Sequence, residues 1–296
     1  LIDVEKECIV AVPEPQFYVA LSYVWGDANT LQNKRANKHN LEQPGGLSVT
    51  NPLLPNTIKD AMILVKLLGE HYLWVDCLCI TQDDNEVKDF QMKQMYFIYE
   101  CATFTLIAAC GEDANAGLPG IQEGSRAWRQ HTELVKGIML ANRPVLPEYS
   151  EQVWAKRAWR LQEEGISPRK LYMLSNSVVL KYEEGDFYED EYPMEKAEAV
   201  NQDDLSSGTT NFVRYANIVE EYTRRSMKFN TDIINAFEGL MTKLRPIFRG
   251  DFVFGLPTTE LESALLWQPT DPLKRRVDEE SKALICPSWS WAGWEG

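Results

Sequence analysis

Residues 72–84 read Tyr72-Leu-Trp-Val-Asp-Cys-Leu-Cys-Ile-Thr-Gln-Asp-Asp84. Leu73 to Ile80 is apolar except for one carboxylate, Asp76, and a short acidic segment follows. A continuous run of this kind, bounded by polar residues, predicts a strand buried on both faces, as in parallel sheets. In open α/β sheets, ligands sit just past the carboxyl ends of such strands. Asp76, Cys79, Gln82 and Asp83 therefore stand where a pocket belongs.

The flanking chain extends the same pattern. Residues 17–25 form a second apolar run ending in Gly26-Asp27, a turn signal. Pro55-Asn56-Thr57 opens a helix, with Thr57 and Asp60 spaced as a capping-box variant. Ile58, Ala61, Met62, Val65 and Leu68 continue it at helical spacing. Residues 86–102 predict a helix and Thr103 to Ala109 a third buried strand. Strand, helix, strand, helix, strand is the order of a parallel α/β sheet.

Beyond it, 111–125 is Gly-rich and loop-like, and 126–150 is ambiguous, reading as strands or an insertion. Residues 152–164 read as a helix stopped by Gly165 and Pro168, and Leu171 to Tyr182 as strand with a turn at Asn176. An acidic connection over 183–210 precedes two helical stripes, Phe212 to Tyr222 and Ile233 to Leu244. The chain closes with Pro287-Ser-Trp-Ser-Trp-Ala-Gly-Trp294, which reads as a packing plug.

The net charge of −14 and the lack of a Lys/Arg stripe argue against nucleic acid and anionic membrane surfaces as partners. Six scattered cysteines without a CxxC pair fit a reducing, cytoplasmic setting. Cys77 and Cys79 would share one face of a strand and read as core. No apolar run is long enough for a membrane span. His39, His71 and His131 lack paired spacing, so no metal site is expected. A chain beginning at Leu1 rather than Met reads as a piece of a longer one.

Three motifs carry possible chemistry. In Tyr23-Val-Trp-Gly-Asp27, Gly26 suits either close approach to a ligand or a plain turn, and Asp27 either a ribose hydroxyl or local amides. Asp76 is either a pocket carboxylate or a cap, because a buried carboxylate needs partners. In Arg157-Ala-Trp-Arg-Leu-Gln-Glu-Glu164, Trp159 and Glu163 share one face if the segment is helical. An aromatic beside a carboxylate suits glycosidic-bond cleavage through an oxocarbenium-like state, and Arg157 suits a phosphate. The same pattern also describes an amphipathic helix with solvated glutamates. No GxGxxG, P-loop or GxSxG motif is present.

Tyr18-Val-Ala-Leu-Ser-Tyr-Val-Trp-Gly-Asp27, Leu73-Trp-Val-Asp-Cys-Leu-Cys-Ile-Thr-Gln-Asp-Asp84 and Arg157-Ala-Trp-Arg-Leu-Gln-Glu163 together resemble the fungal heterokaryon incompatibility (HET) domain family, itself thought to be related to TIR domains. The resemblance implies a TIR-like or flavodoxin-like α/β core over 1–185. A helical, aromatic-rich C-terminal elaboration, 186–296, would pack on that core. It implies a cell-death effector of nonself recognition, self-associating when active. Trp159 to Glu163 is similar to the TIR segment Trp-Cys-x-x-Glu, whose glutamate is catalytic in NAD-cleaving members, although Arg160 replaces the cysteine. By this likeness Glu163 is the catalytic candidate and NAD the substrate, with no cofactor required. Ser22, Tyr23, Trp25, Gly26, Asp27, Asp76, Cys79, Gln82, Asp83, Arg157, Trp159 and Gln162 would line the substrate site. A non-catalytic self-associating module and a sensor of an NAD-derived nucleotide are the alternatives.

Overall fold

The apolar runs become strands, though shorter ones than their length predicts. The computed structural model describes residues 1–27, 30–126, 131–142, 152–189, 211–225, 227, 229–279 and 281–295. The chain groups into two units, residues 1–155 with 167–198 and residues 156–166 with 199–296.

The first unit contains β1 (Ile2–Asp3), β2 (Cys8–Ile9), β3 (Val19–Ser22), β4 (Tyr72–Trp74) and β5 (Phe104–Ala108). A separate hairpin follows, β6 (Thr132–Val135) and β7 (Ile138–Ala141), and then β8 (Arg169–Met173), β9 (Val178–Tyr182) and β10 (Gly185–Tyr188). Its helices are α1 (Lys38–Leu41), α2 (Asn56–Leu67), α3 (Asp76–Cys79) and α4 (Asn85–Glu100), and α5 (Val153–Lys156) runs to its boundary.

One eight-stranded sheet orders these as β10-β9-β8-β5-β3-β4-β1-β2. The central four, β8, β5, β3 and β4, are parallel. Antiparallel strands extend the sheet at both ends. Taken in chain order, the parallel strands lie across the sheet as 2-1-3-4. Side-chain alternation divides the two faces. Val19, Leu21, Leu73, Leu106 and Ala108 pack with Ile58, Ala61, Met62 and Val65 of α2. Trp74 points the other way and meets Tyr99 of α4 edge-on at 5.7 Å, while the Tyr99 hydroxyl donates to Leu21 O at 3.3 Å.

Several expectations are corrected. The strand expected over 72–80 ends at Trp74, and Asp76 to Cys79 forms a helical turn. Cys77 and Cys79 therefore sit on a helical turn rather than on one face of a strand. Thr57 and Asp60 do not cap α2, whose N-cap is Pro55 without a side-chain bond. Instead, Thr57 Oγ1 accepts from Gly117 N at 3.1 Å, and Asp60 accepts from Leu118 N at 2.8 Å and Gln122 Nε2 at 2.7 Å. The true capping carboxylate is Asp84, which accepts from Val87 N at the start of α4. The helix expected over 152–164 is two short ones, α5 and α6 (Arg160–Ile166). The hairpin around Asn176 forms as read. Much of 126–150, and 190–210 of the acidic connection, lie outside the described residues.

The second unit holds α6, α7 (Asn211–Thr223), α8 (Asn235–Phe248) and α9 (Leu261–Ala264). Two small ladders join them, β11 (Phe252–Val253) with β12 (Leu256–Pro257), and β13 (Lys274–Arg275) with β14 (Trp294–Glu295). Its core is aromatic. The Trp291 ring lies 5.1 Å from Phe237 and 5.8 Å from Tyr222, and its Nε1 donates to the Tyr215 hydroxyl at 3.0 Å. That hydroxyl donates onward to Gly255 O at 2.8 Å, and burial pushes it well above the usual phenol range. Among the described residues no helix is long and apolar enough to cross a membrane.

Candidate functional site

The carboxyl ends of β3 and β4 bring two of the sequence motifs together. Leaving β4, the chain turns at Val75 into α3, which sets Asp76 opposite the loop that leaves β3. Trp25 Nε1 points its proton between the two carboxylate oxygens of Asp76, at 3.1 and 2.9 Å. Cys77 N also donates to Asp76 Oδ1 at 2.7 Å. Donation of this kind to an ionised acceptor is stronger than a neutral hydrogen bond. The half-buried carboxylate is thus held in one orientation by a tryptophan fifty-one positions earlier.

The surrounding residues lock the turn. Gln82 Nε2 donates to Asp76 O and Ile80 O, each at 3.0 Å. The Tyr23 hydroxyl meets Cys77 Sγ at 3.2 Å, and Val75 N donates to Cys79 Sγ at 3.4 Å. Burial pushes the Cys77 thiol well up and the Cys79 thiol up, so both stay protonated rather than nucleophilic at neutral pH. Ser22 Oγ accepts from Trp154 Nε1 at 2.7 Å inside the core. Asp83 is exposed and accepts from Arg35 N at 2.9 Å, which ties the 30–37 loop to this edge. Asp27 is exposed.

Gly26 has φ +64°, and a Cβ there would come within 2.4 Å of Asp113 Cβ. The close approach that this glycine permits is therefore to the chain's own 112–114 segment. Ala114 N donates to Trp25 O at 3.3 Å, and Thr57 N to Ala114 O at 3.1 Å. Residues 113–118 lie against the turn after β3, anchored below by Thr57 and Asp60.

Asn33 was missed by sequence reasoning. It is 3% exposed and bonds the turn three times: its N donates to Cys77 O, its Nδ2 to Leu78 O, and its O accepts from Gln82 N. Its Oδ1 is buried and accepts no hydrogen bond among the described residues. Trp154 and Asp113 were missed as well. Asn33 lies in a polar stretch and Asp113 in a Gly-rich one, both without periodicity, and only a Trp next to an amphipathic pattern could have signalled Trp154.

The third motif belongs to the second unit. Arg157 lies between α5 and α6, and Glu163 N closes the first turn of α6 on Trp159 O at 3.0 Å. Glu163 is 3% exposed, and Arg157 Nη2 lies 3.6 Å from its Oε1. Ala158 lies in the aromatic core of this unit with Trp159 packed against it, and Lys243 Nζ donates to Gly165 O at 2.8 Å. Trp159 is thus partly buried against that core, and the Glu163–Arg157 pair is a buried carboxylate beside a guanidinium. The Gln162 side chain lies outside the described residues.

Residues 18–163 match the family described as heterokaryon incompatibility protein (HET). Over 217 residues the chain is 26% identical to heterokaryon incompatibility protein 6, OR allele, of Neurospora crassa. That alignment covers 58% of this chain and 31% of the Neurospora protein, so the match spans about a third of that relative's length. No solved structure matches the chain. The matched span opens at β3, takes in the Trp25–Asp76 pair and closes on Glu163. Over residues 18–163 the chain is thus similar to the HET family.

Proposed function

We propose that the chain is a cell-death effector of fungal nonself recognition that cleaves NAD at the nicotinamide–ribose bond. The family match and the name of the Neurospora relative support the cellular role. The strand order 2-1-3-4 of the parallel core supports a flavodoxin-like or TIR-like reading of the fold. The observation that carries the chemistry is the buried Glu163 carboxylate with Arg157 at 3.6 Å.

In this reading Glu163 stabilises the ribosyl cation as the glycosidic C–N bond breaks, and Arg157 meets the pyrophosphate. Nicotinamide leaves as a neutral base and water takes its place on the ribose, giving ADP-ribose and a proton. The experiment is chromatography of nicotinamide after incubating concentrated protein with NAD. Release is expected from the native chain, with a loss of about a hundredfold or more in Glu163→Gln. No release by an assembled sample, or undiminished release by the variant, overturns the reading.

A second reading, a non-catalytic self-associating module, is favoured by α4. Val87, Phe90 and Phe97 lie on one face of that helix and are 42%, 62% and 50% exposed. Concentration-dependent assembly that Phe90→Glu abolishes, without nicotinamide release, decides for it.

A further inference from the structure

The second unit contains an open basin of about 640 Å³, the size of a small-molecule site. Phe254, Leu284, Ile285, Cys286, Trp289 and Arg275 line it. None of the three motifs read for chemistry contributes to it, whereas Pro287, Ser288 and Trp289 of the closing segment do.

The apolar part of this wall is unusually exposed. Leu284 is 63%, Phe254 44% and Trp289 41% exposed, and the two rings meet edge-on at 5.5 Å. Phe254 has φ +46°, a left-handed conformation that costs a bulky residue free energy. Burial of its ring does not offset that cost. The backbone is pinned in place: Ser290 Oγ donates to Phe254 O at 2.7 Å and Trp267 Nε1 to Trp289 O at 2.8 Å. The backbone beneath two partly exposed aromatic rings is thus held in place.

Arg275 supplies the polar part. Its guanidinium lies 4.7 Å from the Trp294 ring and donates through Nη2 to Cys286 O at 2.6 Å. Gly293 leaves it room, since a Cβ there would come within 2.8 Å of Nη1. Nη1 is buried without an acceptor, and no carboxylate pairs with Arg275 among the described residues. The neighbouring Arg276 is used internally, by Asn230 Oδ1 and Trp294 O. In a chain of net charge −14, this leaves an uncompensated cation beside an apolar basin.

We infer that the basin binds a small organic anion with a flat apolar body, such as an aromatic carboxylate. Arg275 holds the anionic group, and Phe254, Trp289 and Leu284 cover the body. A charge-assisted bond supplies orientation, and the aromatic walls supply most of the buried area.

The test is isothermal titration of the chain with 2-naphthoate and with the neutral 2-naphthalenemethanol. Saturable binding of naphthoate is expected, roughly tenfold or more tighter than the alcohol. Arg275→Gln should bring naphthoate down to the level of the alcohol while leaving the alcohol unchanged. Because Arg275 also bonds Cys286 O, circular dichroism checks that this variant folds. Leu284→Glu, at an exposed rim position, places a carboxylate at the mouth and should weaken naphthoate by a similar factor in a folded protein. No saturable binding of naphthoate, or unchanged affinity in the folded variants, overturns the inference. The result is independent of nicotinamide release.

Discussion

Gly26 shows how one residue can carry a motif for a reason other than the expected one. Its φ of +64° suits glycine, and Asp113 lies where a side chain would go. Gly26→Ala should destabilise the first unit by about 2–4 kcal/mol, combining left-handed strain with the clash. Gly45→Ala is the control: φ is +80° there, but nothing lies within 4 Å of the added carbon, so about 1 kcal/mol is expected. Urea denaturation of both variants separates strain from contact, and equal losses would show that the Asp113 approach contributes nothing.

The same logic applies at the scale of elements to α2 and the segment it anchors. Asp60 is 3% exposed and accepts from Leu118 N and Gln122 Nε2. Asp60→Ala should cost about 1–3 kcal/mol, because the buried Leu118 N loses its acceptor while the exposed Gln122 amide turns to water. Faster hydrogen exchange at Leu118 and faster proteolysis within 111–125 are expected, with α4 unaffected; an unchanged exchange rate would refute the anchoring role. The helices and central strands were legible in the sequence because apolar periodicity reports burial directly. The break after Trp74 was not, since a buried helical turn and a buried strand are equally apolar over so few residues. The partners of Asp60 were not legible either. Thr57 and Asp60 have capping spacing, but the donors they bond are about sixty positions away. At the candidate site, Asp76 and Trp25 could be read as unusual residues, whereas their bond depends on the sheet order.

For the whole molecule, acid should act first through the sheet edge. Asp3 is fully buried in β1. Burial alone would raise its carboxyl, but Lys6 N at 2.9 Å, the Lys6 ammonium at 3.0 Å and the charge of His71 more than offset it. Its value is held below the ordinary 3.8. A depressed carboxyl gives stability that is fully present above its unfolded value and is lost as pH falls through the folded one. The native chain should therefore lose stability below about pH 4. Asp3→Asn should be less stable at neutral pH and show a flatter acid limb in denaturation midpoints from pH 6 down to 2.5. A parallel acid limb in the variant would remove Asp3 from the account.

The mixed sheet also sets a timetable. β3 pairs with β5 across eighty-five positions, Val19 with Phe104, and β5 pairs with β8, Thr105 with Lys170. Contacts that distant are slow to form, whereas the β8–β9–β10 meander joins neighbours. On the ribosome β5 is complete at Ala108 and its partner β8 only at Met173, so β5 waits with a bare edge while 65 further residues are made. The nascent chain is most exposed to wrong partners in that interval, and a chaperone would have most to do there.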